Sequence, residues 1–124
     1  MNEHGFVKAV HRALPLTVYK WKIADRYTNG VPDSWYSGPS GDLWAEYKFL
    51  SRVPRKSFTV PLTELQRIWL TARHTEGRRT AVIVGSPKGA VILTSPSEWN
   101  SKVSVDCKWI QIKEVAAWIT TQLS

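Results

Sequence analysis

Between Gly30 and Lys48 the chain reads Gly-Val-Pro-Asp-Ser-Trp-Tyr-Ser-Gly-Pro-Ser-Gly-Asp-Leu-Trp-Ala-Glu-Tyr-Lys, and no other run restricts the fold as strongly. Asn29-Gly30 signals a turn, and Ser37–Gly41 a second one. The spacing predicts strands over 32–36 and 42–50, joined as a hairpin. Asp33 and Glu46 then occupy neighbouring strands. Side chains alternate along a strand, so Trp44, Glu46 and Lys48 share one face and Ala45, Tyr47 and Phe49 the other.

Two carboxylates and a lysine addressing one space have a definite chemical use. Mg²⁺ takes hard oxygen ligands, keeps several waters and needs only one or two carboxylates, so Asp33 and Glu46 suffice to hold it beside a substrate phosphate. Lys48 can orient a reacting water or stabilise charge on phosphorus. A bare Glu-x-Lys is more often an exposed ion pair on one strand face. The upstream Gly-x-Pro-Asp turn and an inward-pointing Glu3 favour a site instead.

Glu3 enters through the first helix. Asn2 is a suitable N-cap, and Glu3, Val7, Val10 and Leu14 recur at helical spacing until Pro15, predicting a helix over 3–14 with Glu3 on its apolar stripe. Residues 17–23 read as a strand with one wet face, Val18, Lys20 and Lys22 alternating against Tyr19, Trp21 and Ile23. The basic, proline-bounded stretch from Ser51 to Pro61 reads as an exposed loop or an edge strand. Thr63-Glu-Leu-Gln66 is a capping box opening a second helix that ends at Gly77, with Leu65, Ile68, Trp69 and Ala72 as its apolar face. Strands at 80–84 and 90–94 flank Gly85–Gly89, which lacks a following helix and so reads as a hairpin turn rather than a phosphate cradle. The tail offers a short strand near 108–112 and a last helix carrying Val115, Trp118 and Ile119. This order predicts an α/β fold with a central mixed sheet flanked by helices.

Size and charge narrow the classes. A chain of 124 residues suits one domain with one core over 1–124. An apolar content of 43% with seven tryptophans argues against disorder. No apolar run approaches a membrane span and no signal-peptide core opens the chain, so a soluble intracellular protein without a membrane partner is expected. Cys107 is the sole cysteine, which rules out an internal disulfide and reads as a packed small hydrophobe. His4, His11 and His74 lack zinc-site spacing and read as surface residues.

The net charge of +7 favours polyanionic partners. Residues 26–51 form the only acidic segment, while 52–79 hold most of the positive excess. Arg52, Arg55, Lys56, Arg67, Arg73, Arg78 and Arg79 are therefore the expected phosphate-contacting pool. Trp35 and Tyr36, beside the hairpin turn, are candidates for stacking on an unpaired base, with a packed-core role as the alternative for Trp35.

Taken together, the helix-one Glu3, the Gly30-to-Asp33 turn, the Glu46-x-Lys48 strand and Gln66 on the next helix resemble the PD-(D/E)XK nuclease superfamily. Within it the run is most similar to small archaeal and phage Holliday-junction resolvases and stand-alone VRR-NUC domains. The resemblance covers about residues 1–95, leaving 96–124 as an extension. It implies a restriction-endonuclease-like core of helix, three strands, helix and strand. It also implies Mg²⁺ as cofactor, with Mn²⁺ as substitute, held by Asp33, Glu46, Glu3 and the backbone carbonyl of Tyr47, with Lys48 and Gln66 completing the catalytic set. The DNA partner would be cut by a structure-selective endodeoxyribonuclease, in a phage-encoded case within the host cytoplasm. Phe49-Leu-Ser-Arg52 departs from the glutamine or serine pattern usual after the strand lysine, so substrate preference is open. A non-catalytic nucleic-acid-binding module of the same fold, or a sequence-specific or nicking nuclease, are the rival readings. Cutting both strands of a duplex or junction would take two copies, so a homodimer is expected, with the tryptophan-bearing tail as a candidate interface.

Overall fold

The computed structural model describes residues 1–23 and 30–124, so the expected turn at Asn29 lies partly outside the described residues. Helix α1 (Glu3–Ala13) starts where the Asn2 side chain accepts the Gly5 N–H at 2.8 Å, and it buries Phe6, Val7 and Val10. Strands β1 (Tyr19–Lys22), β2 (Ser34–Gly38) and β3 (Gly41–Phe49) follow as an antiparallel meander. Helix α2 (Glu64–Thr75) then crosses over one face of the sheet to deliver β5 (Thr80–Ser86) parallel to β3, and β6 (Gly89–Leu93) returns beside it. The five-stranded order is β1-β2-β3-β5-β6. All seven residues of β5 are buried, as a near-continuous apolar run covered on both faces requires.

The two faces form separate cores. Phe6, Val7, Val10, Tyr36, Ala45, Tyr47 and Ile83 pack beneath α1 and the last helix, α4 (Ile112–Leu123). Val60, Leu70, Val82, Val84, Leu93 and Trp99 fill the α2 side. The central mixed sheet flanked by helices is as expected, and, counting only the strands of that sheet, so is the order helix, three strands, helix, strand.

Several details differ from expectation. The Ser51–Pro61 stretch contains β4 (Ser57–Thr59), which pairs with β7 (Lys102–Ser104) after a short helix, α3 (Pro96–Trp99). The strand expected near 108–112 is reduced to one bridge, in which Ala90 and Ile110 exchange two 2.8 Å backbone hydrogen bonds. All four residues of β1 are exposed, because an edge strand lacks a covering layer there. Helix α2 is rotated by about one residue: Leu65 and Ile68 face solvent while Gln66 and Leu70 turn inward. Its inner side thus meets the polar centre described below rather than a purely apolar surface.

The tryptophans of the tail pack against this chain's own cores to different degrees, Trp109 and Trp118 staying partly exposed. Trp99 is fully buried, Trp109 stacks on Phe58 at 6.1 Å, and Trp118 packs on the α1-side core. His11 and His74 are half-buried rather than surface residues, His11 donating or accepting at the Tyr36 hydroxyl and His74 lying edge-on to Trp99. Cys107 is half-buried and its thiol pKa is pushed up by burial. Among the described residues, no helix is long and apolar enough to cross a membrane.

Candidate active site

The Gly30 turn is held by a close approach that only glycine permits. Gly30 has φ +86°, and a Cβ there would lie 2.4 Å from the Leu65 carbonyl oxygen at the start of α2. Pro32 is buried behind it. The Ile23 N–H then donates to the Asp33 carbonyl at 2.7 Å, fixing the entry into β2. Asp33 precedes the strand instead of lying within it. Ser34 pairs with Ala45, so the next position in register sets Asp33 opposite Glu46. The Asp33 carboxylate accepts the Tyr47 N–H at 3.1 Å, which anchors it over β3.

Glu46 is the centre of the arrangement. Only 2% of it is exposed. Its Oε2 accepts from Gln66 Nε2 at 3.2 Å and lies 3.5 Å from Lys48 Nζ, whereas its buried Oε1 has no partner among the described residues. Burial, then the Asp33 carboxylate, push the Glu46 pKa up to about 8 against the opposing pull of Lys48. Glu3, at the start of α1, is exposed rather than turned inward as expected, because the first turn of the helix projects past the core; its pKa is nonetheless raised, first by partial burial and then by Asp33, while Lys48 and Lys22 lower it. Three carboxylates thus share one electrostatic neighbourhood, which Lys48 enters at 3.5 Å from Glu46 and Lys22 influences from β1.

This donor set fits a hard divalent cation. Among the described residues, no group of three or more His, Cys, Asp or Glu side chains is placed to hold a metal ion by itself. Mg²⁺ needs no such group, since it retains water and shares substrate phosphates. The orphaned Glu46 oxygen and the mutual repulsion of Glu46 and Asp33 are what a cation between them would relieve.

Gln66 closes the expected capping box and also reaches Glu46. Thr63 Oγ1 accepts the Gln66 N–H at 3.1 Å, Gln66 Oε1 accepts the Thr63 N–H at 2.9 Å, and the same amide's Nε2 reaches Glu46. The cap fixes the amide so that its nitrogen points at the carboxylate. Thr63→Ala is expected to cost about 1 kcal/mol of stability through the missing cap. Gln66→Ala should cost more, because it also deprives Glu46 of the one donor that meets it, among the described residues, besides Lys48. Urea unfolding of the two variants compares them directly.

The remaining sequence candidates divide sharply. Tyr36 is completely buried on the α1 side, bonded to the Tyr47 hydroxyl and to His11, so it cannot stack on a base. Arg67 is a structural clamp: it donates to the Trp99 and Val60 carbonyls, both at 2.9 Å, and to Asn100 at 2.6 Å. Arg73 lies over the Trp69 ring and bonds Glu76, with Arg78 at 3.8 Å from the same carboxylate. Arg79 donates to the Gln122 carbonyl at 2.6 Å, tying β5 to α4. Arg52, Arg55 and Lys56 remain exposed and make no ion pair among the described residues.

Trp35 is half-buried on the Glu46 face, its Nε1 donating to Asp42 at 2.9 Å. It belongs to an aromatic row that sequence reasoning did not assemble. Tyr19 and Trp21 contact it from β1, and Trp44 follows at 6.2 Å, then Trp69 at 5.3 Å from Trp44. Cross-strand register brings these rings together; alternation alone gives each strand's face but not its partner.

No family model and no curated protein sequence matches the chain. Among solved structures it is similar to Hjc of Archaeoglobus fulgidus, a Holliday junction resolvase from an archaeal hyperthermophile, with a TM-score of 0.57 and 18% identity over 94% of this chain and 97% of that one. The chain therefore has the restriction-endonuclease-like fold that the resemblance implied.

Proposed function

We propose that the chain is a divalent-metal-dependent endodeoxyribonuclease, with Mg²⁺ as the resident ion, acting on branched DNA. The observation that carries this reading is Glu46: a carboxylate buried at 2% exposure, with one unpartnered oxygen, set between Asp33 and Lys48. Such a group is unfavourable for the fold alone. Its cost is understandable where a cation and a phosphate complete the site.

Asp33, Glu46 and the Tyr47 carbonyl would hold the ion, with Glu3 in support. When bound, it supplies a water of lowered pKa and offsets charge on the phosphate. Lys48 then positions the attacking water oxygen and donates to the phosphate oxygens as charge develops. The oxygen–phosphorus bond forms on one side while the bond to the leaving sugar oxygen breaks on the other. The attacking water gives up a proton to solvent, and the departing sugar oxygen takes one up from solvent. Gln66 positions Glu46 and does not meet the substrate. The similarity to a resolvase supports branched DNA as the substrate, and paired incisions would require a homodimer.

A panel of four-way, flap, splayed and plain duplex DNA tests the proposal. Cleavage of at least one branched form in Mg²⁺, abolished by chelation, is the expected result. DNA binding with no cleavage of any form in Mg²⁺ or Mn²⁺ would make the chain a binding module instead.

A further inference from the structure

A second charged surface lies between α1 and the edge strand β1, next to the acidic centre. Helix α1 and the edge strand β1 enclose a groove of about 450 Å³. His4, Lys8 and Arg12 recur every fourth residue and so line one side of the helix. Lys20 and Lys22, two apart on β1, line the facing wall. Val7 and Leu14 are buried at its floor. Among the described residues, the groove lining contains no carboxylate.

The positive charge is concentrated enough to act on its surroundings. His11 is held neutral, its pKa lowered to about 4 by burial and then by Lys20 and Lys22. Lys22 bonds His4 Nδ1 at 3.0 Å and also lowers the pKa of Glu3, so the groove opens beside the acidic site. The stripe from His4 to Arg12 extends about 12 Å along the helix, longer than a single phosphate group. Two facing rows of cations, Lys8 and Arg12 on the helix and Lys20 and Lys22 on the strand, suit a repeating anion read without regard to sequence.

We propose that this groove is an anchoring track for the phosphodiester backbone of the nucleic acid cut at the acidic site, with Lys8, Arg12, Lys20 and Lys22 meeting its phosphates. The inference rests on the nuclease reading for the identity of that polymer. The track holds an arm of the substrate at a distance from the scissile bond, and Lys22 marks where the strand passes from track to site.

Salt dependence of binding tests it. Affinity for a labelled four-way junction is measured by fluorescence anisotropy in chelator, across a range of salt, for the full chain and for Lys8→Ala/Lys20→Ala. Removing one phosphate-neutralising cation lowers the slope of log K against log salt by about 0.9, so the slope of the double variant should be shallower by about 2. Lys8→Arg/Lys20→Arg should restore it. A wild-type slope in the alanine variant overturns the track, and if the wild type still cuts DNA the nuclease reading survives. A reduced slope with no cleavage by wild type keeps the track and removes the nuclease. Absence of DNA binding by wild type overturns both.

Discussion

Asp33→Asn should lower the rate of Mg²⁺-dependent cleavage by about 100-fold or more while leaving the fold intact. Asparagine retains a side-chain carbonyl that can accept the Tyr47 N–H now bonded to Asp33 at 3.1 Å, so no buried donor is orphaned. What disappears is the charge that opposes Glu46. The Glu46 carboxyl would become easier to ionise, yet the pair that holds a divalent ion would be halved. Lys48→Ala removes the cation 3.5 Å from Glu46 and should reduce the rate comparably, with the Glu46 pKa driven further up. Single-turnover cleavage of the preferred branched DNA, with thermal unfolding measured in parallel, separates a chemical from a structural loss. If both variants cut within about threefold of wild type, the reaction is carried out elsewhere on the chain.

The hairpin that places these residues was legible because its signals are local. Period-two alternation fixed the face of Glu46 and Lys48, and the glycine-rich turn fixed the adjacency of Asp33. The same alternation already separated Trp35 from Tyr36: neighbours on one strand point to opposite faces, and only Trp35 shares the face of Glu46. What remained hidden depends on partners distant in sequence. Arg67 looks like any helix-surface arginine until Trp99 and Asn100 arrive more than 30 residues later to occupy its guanidinium. Strands β4 and β7 are three residues each, too short for a periodic signal, and exist because they pair with one another. Helix α2 carried an apolar stripe that misjudged its rotation, since capping-box chemistry at Thr63 and Gln66 and a polar neighbour at Glu46 outweighed the burial of Leu65 and Ile68. The stripe of His4, Lys8 and Arg12 carried no signal of its own among ordinary surface charges, and only the placement of β1 opposite α1 gives it a facing wall.

Glu46→Gln should make the metal-free protein more stable at alkaline pH while abolishing cleavage. The folded Glu46 has its pKa raised from 4.5 to about 8, so the folded state retains the proton that the unfolded chain gives up. The contribution of this group to stability is therefore fully present below about pH 4.5, declines as pH rises, and is lost once pH passes about 8. A shift of this size corresponds to roughly 3–5 kcal/mol, the higher value applying if nothing in the fold relaxes. Glutamine is neutral throughout and keeps an acceptor for Gln66, so the variant escapes the loss. In chelator, urea unfolding should give near-equal midpoints for the two proteins at pH 5 and a clear advantage for the variant at pH 9. His11, lowered to about 4, makes stability fall as pH drops from its ordinary range, but it is common to both proteins and cancels in the comparison. Mg²⁺ should then close the gap at pH 9 by stabilising wild type alone, because binding to the folded state adds stability in proportion to RT ln(1 + [Mg²⁺]/Kd). Equal midpoints at pH 9 would mean that Glu46 is accommodated as an ion without help, and the case for a cation at this site would lose its physical basis. A variant advantage that Mg²⁺ erases only in wild type would tie the instability of the site to the ion it is built to hold.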